Sequence, residues 1–541
     1  MSDTMPLVPP VSQTLPDLMR EQAQRFGQHE VLVDAQQRLT YAEFEEAVNA
    51  CARGLMARGV TAGDRVAICM GNRNEWVVAA FAITAIGAVM VGVNTWLSTP
   101  ELGYVLRHSG TRTLLAEPRF LRHDYTQSVA SLRADAQGLP DLQEVVWVGL
   151  ASDDAAVAAP DLSWQDLQAQ GHSVSDQRLA AAKAAVQPTD DSFLLYTSGS
   201  TSLPKGVVLQ HDALIANMWQ IGARQHNGSN DRLWLAVSLF WGLGCENALF
   251  NMFTRGGCLV LQPHFDAEAA LTLIERERCT LFYGTPNMAQ ALFDAPGYHP
   301  ARLATLRGGA TIGSPEQIQR LVDAGCQEIC NIYGLTETYG NCNVTDASEP
   351  LSKRLTSVGR ALEGVSVRIV NAETEALCAP DEVGEIRVKG YVFKRYHNDP
   401  EATRAAFDQD GFFRTGDLGW LDHEGFLYFR GRLKEMVKVD GMNVAPVEVE
   451  EVLLQHPLVL AAYCTGLPRG DDHVLGAVLV ARAGATPDTE SVQRHCQTRL
   501  ARYKQPQHVV WVSDAQLPLT TTGKVKKNQL PELFAQVNSN R

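Results

Sequence analysis

From residue 40 onward the apolar side chains Phe44, Val48, Cys51 and Leu55 recur at steps of four, three and four, the period of one helix face. Thr40 and Glu43 form a capping-box pattern before this run and Gly59 follows it as a stop signal, so a helix is predicted across residues 40–59. A strand-like run, RVAICM, comes after Asp64. Residues 77–93, VVAAFAITAIGAVMVGV, carry no charge. They lie at the short end of the ~17–25 residues a membrane span needs and contain Thr84, Gly87 and Gly92. They read as a buried helix that breaks near Gly87 and runs into a strand.

The same alternation continues through LWLAVSL after residue 232, CLVLQP after 257 and TLFYGTP after 279. Helices between such strands imply parallel sheets covered on both faces. From about residue 365 the pattern shifts to closely spaced strands, VSVRIV, GEIRVKG and GFLYFRG, which predicts a smaller β-rich subdomain. Pro446 then opens a predicted helix, with Glu448, Glu450 and Glu451 in its first turns and Pro457 beyond its end. The expected architecture is α/β. Residues 1–433 form a large N-terminal domain of parallel-sheet subdomains plus the β-rich one, and residues 434–541 form a smaller α+β domain.

Composition narrows the function classes. The chain has 541 residues, 45% of them hydrophobic and 20% charged, as in ordinary globular proteins. Its net charge of -14 argues against a nucleic-acid partner, because phosphate backbones select clustered Lys and Arg. The Asp and prolines of the N-terminal MSDTMPLVPPVSQTLPDL, with no apolar core, predict no signal peptide. Its 11 cysteines include no CxxC pair; reduced thiols and a cytoplasmic location are expected. Cys326 and Cys330, four apart, fit one helix face better than a zinc site.

Candidate chemistry centres on YTSGSTSLPKG, residues 196–206. Gly, Ser, Thr and Lys together suit a loop that wraps phosphates through hydroxyls, backbone amides and one ammonium. Pro204 stands where the commonest phosphate loop has glycine and removes an N–H donor. A Walker loop is therefore excluded, and residues alone leave phosphate binding and a solvated turn both open. Gly242 and Gly244 resemble part of GxGxxG, but Asn247 takes the third glycine's place, which argues against dinucleotide binding.

The loop resembles the signature of the adenylate-forming enzymes, the superfamily that includes acyl-CoA synthetases. LRGGA at 306–310, NIYGLTET at 331–338, GEIRVKG at 384–390, RTGDLGWLDHEGFLYFRGRLKE at 414–435 and PLTTTGKVKK at 518–527 follow in the family's order. TYAEF and GDRVAI extend the likeness upstream. The resemblance implies attack of a carboxylate on the α-phosphate of ATP, giving acyl-AMP and pyrophosphate, followed by acyl transfer to the thiol of CoA. It points to the acid:CoA ligase branch and to fatty acid metabolism. ATP, Mg²⁺ and CoA are the implied cofactor and co-substrates, a small carboxylic acid is the substrate, and a homodimer is allowed.

Residue by residue, Thr197, Ser198, Gly199, Ser200, Thr201 and Lys205 would wrap the β- and γ-phosphates. Gly309, Ala310, Tyr333 and Gly334 would cradle the nucleotide, with Tyr333 stacking on adenine. Thr336 would bond the α-phosphate and Glu337 would hold Mg²⁺. Asp417 would accept the ribose hydroxyls and Arg432 would add a nucleotide contact. Lys524 would bridge carboxylate and α-phosphate; its like-charged neighbours Lys526 and Lys527 are set aside on the family's GK pattern alone. Lys434 would be the hinge of a swinging C-terminal domain that presents the region of Lys438 and Gly441 for thioester formation.

Two departures stand out. Ser202 replaces a loop glycine, and Trp241 replaces the histidine of the family's Pro-Leu-Phe-His segment. A large apolar side chain there suits the wall of a pocket for an apolar acyl group, medium-chain, aryl or cyclic. Trp241, Gly242, Asn247, Thr285, Gly308, Thr311, Tyr339 and Gly340 are the expected lining, with Glu246 read as a packing or capping group and a polar-substrate contact as its alternative. The resemblance also leaves room for loading of a carrier-protein thiol, or for a non-catalytic binding protein on the same fold.

Overall fold

The structure is a computed structural model that describes residues 7–150, 160–197, 204–439, 442–469, 472–519 and 525–539. Its contacts divide the chain into two units. The first comprises residues 1–199, 203–366 and 388–413, and the second residues 200–202, 367–387 and 414–541.

Among the described residues the first unit carries a two-stranded sheet, Arg119–Phe120 with His123–Asp124, and two large ones. One has nine strands in the order Arg360–Ala361, Asn343–Val344, Glu328–Tyr333, Gly308–Thr311, Leu281–Tyr283, Arg232–Leu235, Cys258–Leu261, Glu30–Val33 and Arg38–Thr40. Its inner pairs are parallel. The other has eight, in the order Arg395–Tyr396, Lys205–Gln210, Asp191–Thr197, Val89–Gly92, Arg65–Cys69, Thr111–Ala116, Glu144–Trp147 and Leu162–Ser163. Parallel strands need crossovers, and helix Asn74–Ala85 supplies one between the parallel neighbours Arg65–Cys69 and Val89–Gly92.

Helix Tyr41–Ala57 starts as its pattern predicts. Thr40 Oγ1 accepts the Glu43 N–H at 3.3 Å, and a Glu43 carboxylate oxygen accepts the Thr40 N–H at 2.8 Å. In helix Asn74–Ala85 every residue but Glu75 is buried; Gly87 then turns at φ +74 into strand Val89–Gly92. Among the described residues no helix is long and apolar enough to cross a membrane. The two helices meet edge to face at Phe44 and Phe81, 5.1 Å between centroids, and Phe81 continues to Phe253 at 4.6 Å. This aromatic seam belongs to a single hydrophobic core that also takes in Phe193 and Leu195 of the strand leading into the phosphate loop.

His211 opens helix His211–Arg224, and its Nδ1 accepts the Leu15 N–H at 3.3 Å. Burial pushes the imidazole down from 6.5 to about 4. The unfolded chain then binds a proton that the folded one refuses, so this contribution is full above pH 6.5 and is lost as pH falls toward 4. The loss amounts to about 3 kcal/mol. In urea unfolding near pH 7 and near pH 4, His211→Asn, which keeps an acceptor, is expected to show a smaller acid loss than the unsubstituted protein. Equal losses would rule out His211 as the cause.

The second unit contains most of a four-stranded sheet, Ser366–Val370, Gly384–Lys389, Phe413–Leu421 and Leu427–Arg432 in that order. It also holds a five-stranded sheet of Met442–Val444, Val437–Val439, Asp472–Ala481 and Val459–Arg469, with His508–Val512 pairing on Asp472–Ala481. By contacts, then, the β-rich strands group with the C-terminal residues. Helix Pro446–Leu454 begins at the expected proline and buries Val449 and Leu453 against the five-stranded sheet.

One reading needs correction. Cys326 follows helix Pro315–Asp323 in a turn, and Cys330 lies in strand Glu328–Tyr333. They share no helix face; Gly325, at φ +116, ends the helical path before either is reached. Both thiols are buried and unbonded to other cysteines.

Candidate active site

In the first unit, strands Asp191–Thr197 and Lys205–Gln210 are antiparallel, with Thr197 directly opposite Lys205. The residues that flank the expected phosphate loop are thereby held side by side. Ser198, Gly199, Ser200, Thr201 and the variant Ser202 lie outside the described residues. Tyr104 OH donates to the Pro204 carbonyl at 3.1 Å, tying the loop's downstream edge to helix Thr99–Ser109.

The Lys205 ammonium sits 4.7 Å from the centroid of the Tyr396 ring, a cation–π distance. Tyr396 OH donates in turn to Glu337 Oε1 at 2.9 Å. Lys205 and Glu337, far apart in sequence, are thus placed on one tyrosine. Glu337 is buried within a short turn, Thr336–Thr338, which follows strand Glu328–Tyr333 after Gly334 and Leu335. Tyr333 is the last residue of that strand, and Thr336 and Glu337 therefore stand beyond the carboxyl end of a parallel strand, where ligands of open α/β sheets bind. Asn217 Nδ2 fixes the following segment by donating to the carbonyls of Tyr339 at 2.9 Å and Asn341 at 2.8 Å.

Gly309 and Ala310 lie in strand Gly308–Thr311 beside this turn's own strand. Gly309 has φ +120, and a Cβ there would come within 2.0 Å of the Phe282 carbonyl oxygen. The backbone closes on the neighbouring strand only because that side chain is absent.

The expected acyl lining falls into two groups. Trp241 packs edge-on against Trp96 at 5.4 Å, and Phe240 packs on both rings. After Gly242 the chain makes a π-helical turn, Leu243–Leu249, a local feature frequent at functional sites. This turn brings Asn247 to Gly340, where a Cβ would lie 2.5 Å from Asn247 Nδ2. The second group surrounds Gly284: Thr311 Oγ1 donates to its carbonyl at 3.0 Å, and Thr285 caps helix Pro286–Asp294 by accepting the Met288 N–H at 3.4 Å. Gly308 enters the same strand, packed against Glu328.

Glu246, in the middle of the π-helical turn, is 1% exposed. Among the described residues neither of its carboxyl oxygens has a hydrogen-bond partner, so of the packing or capping role expected for it, it is packed in and caps nothing. Burial first, and the nearby Glu337 charge second, push its carboxyl well above the usual range.

In the second unit, Asp417 and Arg432 are opposite each other on paired strands, and Arg432 Nε lies 3.4 Å from Asp417 Oδ1. Several bonds hold the RTGD turn, among them those of Thr415, Gly416 and Asp417. Thr415 Oγ1 donates to the Ile386 carbonyl at 2.6 Å, the Gly416 N–H to Glu385 Oε1 at 3.3 Å, and the Asp417 N–H to Thr415 Oγ1 at 3.0 Å. Glu385 is itself oriented by the buried Arg387 at 2.8 Å. Lys434 and Lys438 are exposed, whereas Gly441 and Lys524 lie outside the described residues. Lys527 is committed elsewhere: its ammonium lies 2.9 Å from Glu450 and 3.2 Å from Glu435. Burial opposes its charge, yet those two carboxylates hold it above the ordinary lysine value.

Sequence reading missed Tyr104, Tyr396 and Glu385. Each acts on a partner far along the chain or on another strand, and single tyrosines and a strand glutamate carry no local signal. Tyr396 alone could have been suspected, as an aromatic next to His397 and Asn398 in a polar stretch.

Comparison with known proteins agrees with this geometry. Residues 19–397 match the family described as AMP-binding enzyme, and residues 448–524 match the AMP-binding enzyme C-terminal domain. A CoA ligase of Mycobacterium tuberculosis, named for a methyl-dioxo-octahydroindenyl propanoyl group, is 33% identical over 96% of this chain and 99% of its own length. The mitochondrial medium-chain acyl-CoA ligase ACSF2 of Mus musculus is 30% identical over 97% of this chain and 88% of its own. The ATP-bound crystal structure of MatB from Rhodopseudomonas palustris superposes with a TM-score of 0.79 at 26% identity, covering 96% of this chain and 99% of that one.

Proposed function

The chain belongs to the AMP-binding enzyme family and is an ATP-dependent, AMP-forming acid–CoA ligase, and from that premise we propose which residues carry the reaction and what kind of acid it takes. The acid has an apolar body. Trp241, standing with Phe240 and Trp96 as an aromatic wall, supports this, and the names of the relatives, one medium-chain and one fused-ring, are in keeping with it.

The carboxylate is ionised at neutral pH and attacks the α-phosphorus of ATP without a general base, so pyrophosphate leaves as the acyl–phosphate bond forms. What the protein must supply is alignment and neutralisation of phosphate charge. Lys205 and the loop from Thr197 take the β- and γ-phosphates, Thr336 donates to the α-phosphate, and Tyr333 stacks on adenine. Asp417 accepts the ribose hydroxyls, since a carboxylate takes two donors at once, and Arg432 holds it in place. Lys524 bridges the reacting oxygens. Lys434 is the hinge between residues 1–433 and 434–541, and its rotation brings the Lys438 and Gly441 region forward for attack of the CoA thiol on acyl-AMP, with AMP leaving.

Glu337 fits a hard divalent cation: it is a buried carboxylate with one oxygen oriented by the Tyr396 hydroxyl, the oxygen chemistry that Mg²⁺ prefers. When bound, Mg²⁺ would neutralise charge on the phosphates. A cytoplasmic location is supported by the cysteines, all of them unbonded thiols.

The observation that supports this reading is the Lys205–Tyr396–Glu337 arrangement, which brings a lysine and a buried carboxylate onto one side chain, as a phosphate-binding cation and a metal-binding anion would require. Incubation with ATP, Mg²⁺, CoA and a panel of medium-chain, aryl and cyclic acids is expected to release AMP and form a thioester for at least one apolar acid. Transfer to a carrier protein with CoA inert would replace the CoA assignment, and no AMP with any acid would sink the reading.

A further inference from the structure

Glu246 is not needed for any step above, yet it is the most conspicuous polar group near the reacting centre. It is 1% exposed, and among the described residues both its carboxyl oxygens are unpaired. A buried carboxyl without partners is costly to keep, and more so if charged. Its position is set by a close approach. A Cβ on Gly242 would fall 2.3 Å from Glu246 Oε2 and 3.2 Å from Thr336 Oγ1. The carboxyl therefore occupies the space that any side chain at 242 would fill, and it faces the same glycine as the Thr336 hydroxyl. On the other side of Gly242 is Trp241, the aromatic wall. The π-helical turn Leu243–Leu249 swings Glu246 to this place.

Resting on the acid–CoA ligase reading of the same site, we propose that Glu246 is a specificity-determining residue and that the acid carries a hydrogen-bond donor, a hydroxyl, on its otherwise apolar body, which bonds to a Glu246 oxygen. A carboxyl in either protonation state keeps at least one oxygen whose only role is to accept. An acid with a purely hydrocarbon body leaves that oxygen buried and unpaired, while a hydroxy acid satisfies it. A site built to pair with a substrate hydroxyl rejects the analogue that lacks it far more strongly than an apolar wall rejects a missing methylene.

The test uses the full chain and acid-dependent pyrophosphate exchange. Matched pairs of alkanoic or arylalkanoic acids are compared, each with and without a hydroxyl at successive carbons, and with an amine as a second donor. In the unsubstituted protein one hydroxy acid is expected to exceed its parent in kcat/KM by at least about tenfold. Glu246→Gln, which keeps an amide oxygen as acceptor, should retain a preference of the same sign, and Glu246→Leu should abolish it. A better amine than hydroxyl would revise the donor and keep the site. If parent acids react and every hydroxyl is neutral or harmful in the unsubstituted protein, the inference is overturned while the ligase reading stands. If no acid of either kind supports exchange, the ligase reading itself fails. Should Glu246→Leu not fold, the unsubstituted protein and Glu246→Gln still decide.

Discussion

Lys524→Ala is expected to lower acid-dependent pyrophosphate exchange by about 10³-fold, or about 4 kcal/mol of transition-state stabilisation, while acyl-AMP supplied from outside is still converted to acyl-CoA. The asymmetry follows from the chemistry. Adenylation brings two anions together, and an ammonium bridging them is needed only while the carboxylate approaches the α-phosphate. Thioester formation starts from acyl-AMP, in which that charge problem has been solved. The sequence offers three lysines in this segment, Lys524, Lys526 and Lys527, and the structure removes one, because Lys527 is held between Glu435 and Glu450. Lys527→Ala should therefore act through stability, lowering the unfolding midpoint and both half-reactions alike. If Lys524→Ala depressed both half-reactions equally, the swinging-domain account at Lys434 would be wrong.

Glu337→Gln is expected to reduce adenylation by about 10²–10³-fold and to raise the Mg²⁺ concentration giving half-maximal rate. The amide keeps the size and can still accept from Tyr396 OH, now 2.9 Å from Glu337 Oε1, so the fold should survive. On the proposed metal role, what is lost is a negative oxygen ligand. Tyr396→Phe is the informative companion, because it leaves the carboxylate and removes only the group that orients it; outer partners of this kind are worth about 10–100-fold. A Glu337→Gln rate that fell with no change in Mg²⁺ dependence would assign Glu337 a role other than the cation's.

How far the sequence could be read depended on the distance over which each feature is determined. The Thr40–Glu43 cap and the helix-to-strand turn at Gly87 are set within a few residues by caps, periodicity and one left-handed position, and they were legible. So were the motif blocks, whose order along the chain carried the resemblance; that Thr336 and Glu337 stand on a turn after a strand came from the structure. Tyr396 was not, because its tie to Glu337 spans 59 positions and depends on an edge strand, Arg395–Tyr396, pairing with Lys205–Gln210. Glu246 was read as a packing or capping group, with a contact to a polar substrate as the alternative. The π-helical turn, which no local pattern announced, gave it a different neighbourhood. Cys326 and Cys330 went wrong for a related reason: a spacing of four reads as helical only if the helix continues, and Gly325 ends it.

The most direct test of the whole account follows the oxygen atoms. With an acid whose carboxylate carries heavy oxygen, attack on the α-phosphorus and later departure of AMP must carry one labelled oxygen into the phosphate of AMP and none into pyrophosphate. The account predicts this pattern for every acid that is turned over. Labelled inorganic phosphate with ADP as the nucleotide product, or AMP without label, would contradict it.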